Sequence, residues 1–251
     1  NLMSGAAGSS QWMYASGGYE LEQSLKFEDR GDSGGSYLSW TPSTTGNRKK
    51  WVFSCWHKRG NLERCFLLDA TQSGGQAGAF SFGFNSDHKL FISDWHGTEL
   101  TSKAVYRDPS AWMHILLSWD TTQATETNRT QIYVNGSLIE LDEQSVGSGW
   151  SGYPPEDDER YINLADYQHT ISGPDPYASD RDYIDGYLAE VQFIDKAGSG
   201  SEWFTNNGGT ANSSFNINTF GETGDYGEWK PKEVTGINYG TNGFYLPFKA
   251  D

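Results

Sequence analysis

Loop aromatics are the residues of this chain best suited to act on something else. Trp95, His96, Trp150, Tyr153, Tyr167, His169 and Tyr177 stand in polar, turn-rich stretches, with Asp94, Asn163 and Asp166 close by in sequence. Sugar rings stack on exposed aromatic faces while neighbouring polar side chains take the hydroxyls. This set therefore predicts a recognition surface over the loops between residues 142 and 182, for a glycan or another partner. The same rings could instead pin the loops down or bury against a neighbouring subunit, because Tyr and Trp are enriched in protein interfaces. Signatures of nucleophilic or metal chemistry are missing. There is no Gly-x-Ser-x-Gly elbow, His-Glu-x-x-His or phosphate loop. The 5 His, at 57, 88, 96, 114 and 169, have no i,i+4 or Cys partner of the kind zinc uses. His114 lies inside an apolar run, where a structural hydrogen bond is its expected role.

Carboxylates come next. Retaining glycoside hydrolysis needs two of them about 5–5.5 Å apart. In Glu140-Leu141-Asp142-Glu143-Gln144-Ser145, Glu140 and Asp142 share a strand face, but Gln and Ser stand where a second catalytic carboxylate is needed. Polar residues leaving a hairpin account for this run, and the chain is expected not to be an enzyme.

The elements that must carry these residues are short strands. Gly, Ser, Thr and Asn are everywhere, and blocks of helix formers are scarce, which predicts an all-β chain with many turns. Apolar or alternating runs recur at Leu25–Phe27, Tyr37–Trp40, Trp51–Trp56, Cys65–Asp69, Ala79–Phe84 and Lys89–Ser93. They continue at Trp112–Trp119, Gln131–Val134, Ser137–Leu141, Tyr161–Leu164 and Tyr183–Ile194. Met113, Ile115, Leu117 and Trp119 make one apolar face at period two. Asn135-Gly136, between two apolar runs, predicts a type I′ hairpin. Tyr187, Ala189, Val191 and Phe193 are expected to share a face of one long strand. Cys55 and Cys65 flank a polar stretch around Gly60. A hairpin there would put them within reach of a disulfide; two small buried thiols are the other reading, and the expected one.

Composition excludes several classes. Lys+Arg number 18 against 33 Asp+Glu, for a formal charge of −15, so a nucleic-acid surface of clustered cations is not expected. Aromatics make up 15% of the 251 residues, enough for a packed core rather than disorder. No run approaches the ~18 apolar residues of a membrane span, so membrane insertion is not expected. Asn1 to Gly8 have neither a basic n-region nor an apolar h-region and do not read as an intact signal peptide. Residues 1–23 are Gly/Ser/Ala-rich and read as a flexible N-terminal arm or linker, 24–197 as a sandwich, and 198–251 as an irregular wrap packed on it. The acidic excess gathers partly at Glu156–Glu159 and Asp175–Asp185, so a partner at this surface should tolerate or need negative charge.

An ordered series of motifs carries a resemblance. It runs through Ser24-Leu25-Lys26-Phe27, Tyr37-Leu38-Ser39-Trp40-Thr41-Pro42, Trp51-Val52-Phe53-Ser54-Cys55-Trp56 and Trp112-Met113-His114. It goes on through Tyr133-Val134-Asn135-Gly136 and Gly186-Tyr187-Leu188-Ala189-Glu190-Val191. Over about residues 24–248 this series resembles the concanavalin A-like, laminin-G-like jelly-roll superfamily. Tyr106 to Trp112, Asp120 to Thr125 and Tyr239 to Leu246 are similar to a branch common in tail-associated and other virion proteins of bacteriophages, marine ones especially.

The resemblance implies a two-sheet antiparallel β-sandwich with long loops. It also implies a virion context, with secretion as the alternative. The expected function is a non-enzymatic virion structural protein, tail- or capsid-associated, acting in assembly or host-surface contact. The alternative is a carbohydrate-binding lectin module, calcium-dependent or not, and a glycosidase stands well behind both. Expected partners are other virion subunits in a homo-oligomer, and a host-surface glycan or receptor. Laminin-G-like domains often hold one Ca²⁺ near the rim, which points to Asp29 and Asp32 in the first loop and Asp180, Asp182 and Asp185 before the long strand. Solvated surface acids are the default reading of all five.

Overall fold

The computed structural model describes residues 19–31, 34–72, 79–94, 98–144, 152–173, 182–195 and 217–249. Strands β1 (Leu25–Phe27), β2 (Leu38–Trp40), β3 (Lys50–Arg59), β4 (Cys65–Gln72), β5 (Ala79–Phe84) and β6 (Leu90–Asp94) come first. They are followed by β7 (Glu99–Ser102), β8 (Met113–Asp120), β9 (Thr130–Val134), β10 (Ser137–Leu138) and β11 (Leu141–Glu143). The last are β12 (Tyr167–Ile171), β13 (Gly186–Ile194), β14 (Gly221–Thr223), β15 (Trp229–Pro231) and β16 (Phe244–Leu246). One 7-stranded sheet runs β1-β13-β3-β8-β9-β10, with β16 also on β13. The other runs β11-β7-β6-β5-β4-β12-β2, and β14-β15 form a separate hairpin. Every strand pair is antiparallel. The all-β, two-sheet sandwich expected from sequence is the fold.

Period-two patterning explains the core. Met113, Ile115, Leu117 and Trp119 all enter the cluster between the sheets, with Trp51, Phe53 and Cys55 from β3. Trp51 and Trp119 face each other in register and stack at 5.5 Å. Phe80 from the opposite sheet meets both edge-on, at 5.4 and 5.5 Å. Each such ring buries about 150–250 Å², worth roughly 4–6 kcal/mol at ~25 cal/mol per Å².

Several expectations need correction. The chain between Cys55 and Cys65 is a crossover, not a hairpin, because β3 and β4 belong to different sheets. Both thiols are free and buried, and burial pushes Cys65 up to about 12. Residues 161–164 form a turn, with Asn163 at φ 68, although Tyr161 and Ile162 are buried as a strand's would be. The run 137–141 splits: β10 ends one sheet and β11 begins the edge of the other. The face proposed for β13 is broken by a bulge between Ala189 and Gln192, where Glu190 takes φ 49. Leu188, Val191 and Phe193 therefore point into the main core, while Ala189 and Ile194 lie in clusters on the outer side. Leu21, within the stretch read as an arm, is buried against Trp56 and Ala189. The C-terminal part is more than a wrap, because β16 adds a strand to the first sheet beside β1.

Candidate functional site

Trp95, His96, Trp150 and Tyr177 lie outside the described residues, as do Asp32 and Asp180. His169 is wholly buried on β12 and cannot present its ring to a ligand. The Asn163 backbone N–H donates to its Nε2 at 2.9 Å, so Nδ1–H donates to the Tyr167 carbonyl at 2.9 Å. Its ring stacks on Trp40 at 5.0 Å. Tyr167 is half-buried and stacks on Tyr161 at 5.4 Å, so both residues pin the 160s loop to the sandwich. His114 has the structural role expected of it. Trp229 Nε1–H donates to its Nδ1 at 3.2 Å, and Nε2–H donates to Ser54 Oγ at 2.8 Å.

These rings carry a pH dependence. Burial holds His57 and His114 at about 3 and His169 at about 4, so the fold keeps them neutral. Their contribution is complete above the unfolded value near 6.5 and is lost as pH falls toward 4 and 3, at up to ~1.4 kcal/mol per pH unit for each ring. Glu99 and Glu190, raised mainly by burial, work in the opposite sense because the fold favours their protonated forms. The expected net result is a urea midpoint that is lower at pH 5 than at pH 7. An equal or higher midpoint at pH 5 would contradict the burial of these rings.

The described members of the calcium set do not converge. Asp29 Oδ1 accepts the Gly31 N–H at 2.8 Å in a local turn. Asp182 pairs with Arg64 Nη1 at 3.1 Å, and Asp185 offers its backbone carbonyl to Gly60 N–H at 2.6 Å. Among the described residues no group of three or more His, Cys, Asp or Glu could hold a metal ion. Asp29, Asp182 and Asp185, the described members of the set, are thus not brought together as the ion's ligands.

The acidic run 156–159 is not a bare negative surface. Glu156 pairs with Arg129 at 3.5 Å, Asp157 with Lys49 at 3.2 Å and Glu159 with Arg48 at 2.9 Å. Asp158 pairs with Arg160, which also meets the fully buried Asp94 carboxylate at 3.0 Å. Each acid meets a cation, and three of the four cations come from other parts of the chain, so this run folds the loop down.

That clamp positions Tyr153, the loop aromatic that the structure leaves beside a cavity. Gly152 bridges to Glu99 at the start of β7, and the Pro154 carbonyl accepts from Arg129 at 3.1 Å. Tyr153, half-buried between these anchors, lines a pocket of about 270 Å³. The pocket opens at the side of the sandwich where both sheets end. Its walls come from Thr130 and Gln131 on β9, Leu138 on β10 and Leu141 on β11. Asn128, Lys103 and Glu140 stand on its polar side. Thr130, 1% exposed, has a buried hydroxyl with no hydrogen-bond partner. A half-buried ring, aliphatic walls and several polar groups are what a small polyhydroxylated ligand needs. Tyr153 was legible from sequence as a loop aromatic. Thr130 was not, because inside a strand it looks like an ordinary core position.

A larger cleft of about 510 Å³, between Thr45–Lys49 and Asn238–Thr241, has no aromatic in its lining. Its Asp195 is buried and accepts backbone N–H groups from Asn47 and Asn242 at 2.7 and 2.9 Å, so it ties loops together.

Glu140, first of the paired carboxylates considered above, is exposed and bonded to Lys103 Nζ at 2.9 Å. The Lys103 ammonium holds it below its ordinary value, the wrong direction for a general acid at neutral pH.

No curated protein sequence matches the chain. Among solved structures it is similar to a heptameric SAP-like pentraxin of Limulus polyphemus, at 15% identity over 65% of this chain and 71% of that one, TM-score 0.41. It is similar to domains LG4-5 of the mouse laminin alpha1 chain, at 13% identity over 64% of this chain, TM-score 0.43, and spans 40% of that fragment. It is also similar to the CBM40 of a Ruminococcus gnavus IT-sialidase bound to alpha2,3 sialyllactose, at 12% identity over 65% and 91%, TM-score 0.41. One family model, described as the concanavalin A-like lectin/glucanases superfamily, matches residues 32–202. That match spans well over half of the sequence, and the chain belongs to this superfamily.

Proposed function

We propose that the chain is a non-enzymatic glycan-binding module and that the Tyr153 pocket seats one sugar ring. The observation that carries this reading is the pocket itself: a half-buried phenol among aliphatic and polar side chains, held by a charge-clamped loop. Its volume lies just under the ~300–1,000 Å³ of drug-sized ligand sites, which suits a single ring. The state of Glu140 supports binding without hydrolysis. Glu190, whose carboxyl is raised by burial, is covered by the hydroxyls of Tyr19 and Tyr245 rather than open to a substrate. The setting we propose is the surface of a bacteriophage virion, which rests on the sequence motifs at Tyr106–Trp112, Asp120–Thr125 and Tyr239–Leu246. There the module would stand among copies of itself and other subunits.

A glycan array followed by calorimetry on the best hit tests the function. Tyr153→Ala is expected to weaken binding about tenfold, or ~1.4 kcal/mol, with the fold retained by circular dichroism. Full affinity in a folded Tyr153→Ala protein would remove the pocket from consideration.

A further inference from the structure

We infer that the Tyr153 pocket selects a basic sugar, a hexosamine carrying a free ammonium, over acidic and N-acetylated ones. This inference rests on the glycan-binding reading above and adds the sign of the ligand's charge.

Charge compensation separates this site from the loop next to it. Each acid from Glu156 to Glu159 has a cation. Around the pocket the balance differs. Lys103 is neutralised by Glu140, and Arg129 donates to the carbonyls of Gln123, Ala124 and Pro154 while pairing with Glu156. Glu126, Asp142 and Glu143 remain, and among the described residues none of the three pairs with Lys or Arg. None of the three is in the lining itself, whose charged residues are Lys103 and Glu140; they flank it in the chain. Glu126 opens the turn that supplies Thr127 and Asn128 to the lining, and Asp142 and Glu143 follow Leu141 on β11. The Glu143 carboxylate lies against Gly152, next to Tyr153, closely enough that a Cβ there would meet it at 2.1 Å. Burial raises the Tyr153 phenol, Glu143 and Glu126 add to that in the same direction, and Lys103 opposes them.

The spread of these acids fits an organic cation better than a metal ion, because among the described residues no three such side chains converge on one ion. An ammonium over the Tyr153 ring gains attraction from the ring face as well as from the carboxylates. A sugar carboxylate would be opposed by Glu126 and Glu143, a repulsion that salt screens over a Debye length of ~10 Å at 0.1 M.

Calorimetry on the full chain at pH 6 decides, with three probes: the tetramer of glucosamine, the tetramer of N-acetylglucosamine, and sialyllactose. The glucosamine tetramer is expected to bind at least tenfold tighter than the N-acetylated one at 50 mM salt. That advantage should shrink at 0.5 M salt, and sialyllactose should be the weakest. In E126Q/E143Q the advantage of the glucosamine tetramer over the N-acetylated one should fall severalfold. Equal or tighter binding of the N-acetylated tetramer or sialyllactose overturns the inference. So does an advantage that survives Tyr153→Ala, since that attraction would belong to the overall −15 charge. Neutral-glycan binding that depends on Tyr153 but ignores the amine would leave the glycan reading standing and sink only this step. No binding of any glycan would sink both.

Discussion

Arg160→Ala is expected to cost about 3–5 kcal/mol of folding stability, the range for breaking a buried ion pair from one side. The Arg160 side chain is 6% exposed and the Asp94 carboxylate it meets is 0% exposed. Removing the guanidinium would take a cation away from a carboxylate that lies in a site closed to water. By contrast Lys103–Glu140, with both partners largely exposed, belongs to the class worth about 0–1 kcal/mol. Urea unfolding measures the difference directly. A loss under 1 kcal/mol would mean that water reaches Asp94 and that the pair is ornamental. Arg160→Met with Asp94→Leu should recover much of the loss, because it removes both buried charges instead of orphaning one. Arg160→Ala should also weaken glycan binding, since the guanidinium pairs with Asp158 and helps hold the loop that carries Tyr153.

What could be read in advance follows from what kind of signal each feature has. Met113 to Trp119 and Asn135-Gly136 were legible because their information is local: alternation in one case, two residues at φ 47 and 77 in the other. The face of β13 was misread because nothing in Tyr187–Phe193 marks the bulge. No glycine stands there, and Glu190 takes φ 49 where β13 changes from pairing with β1 to pairing with β16. β12 was hidden in a stretch rich in Pro and Asp, and its burial comes from pairing with β4 and β2 on either side. The acidic run was visible as charge. Its neutralisation was not, because Arg48 and Lys49 lie over a hundred positions away. At the site, Tyr153 was legible by residue type, whereas the orphaned Thr130 hydroxyl and the uncompensated Glu126, Asp142 and Glu143 emerge only once partners are assigned in three dimensions.

Trp229→Ala is the second change expected to have a large effect, about 2–4 kcal/mol, because three features of the fold close on that one ring. The C-terminal segment covers the outer side of the first sheet, where Val52, Leu116, Tyr133 and Ile194 are buried under Phe220 with help from Val234, Ile237 and Tyr239. Trp229 fixes that cover at its hairpin. Its indole lies against Gly136 and Gly221, where an added Cβ would come within 2.4 and 2.5 Å of the ring. It stacks on His114 at 6.1 Å and donates Nε1–H to that ring. Alanine would remove the half-buried indole's packing and leave the His114 Nδ1 acceptor without its donor in a buried site. Truncating a buried Trp costs roughly 3–5 kcal/mol and an unmet buried acceptor about 1–3 kcal/mol; half exposure of Trp229 brings the expected sum down. Trp229→Phe separates the two contributions, keeping a ring over Gly136 and losing only the donor. Gly136→Ala tests the same contact from below, since φ 77 and the indole both oppose a Cβ. Hydrogen exchange should locate the effect: in Trp229→Ala, amides of β8 and β9 should lose protection more than those of β5 and β6 in the opposite sheet. Uniform loss across both sheets would mean that the C-terminal cover and the sandwich unfold as one unit, and that Trp229 is no separate fastening.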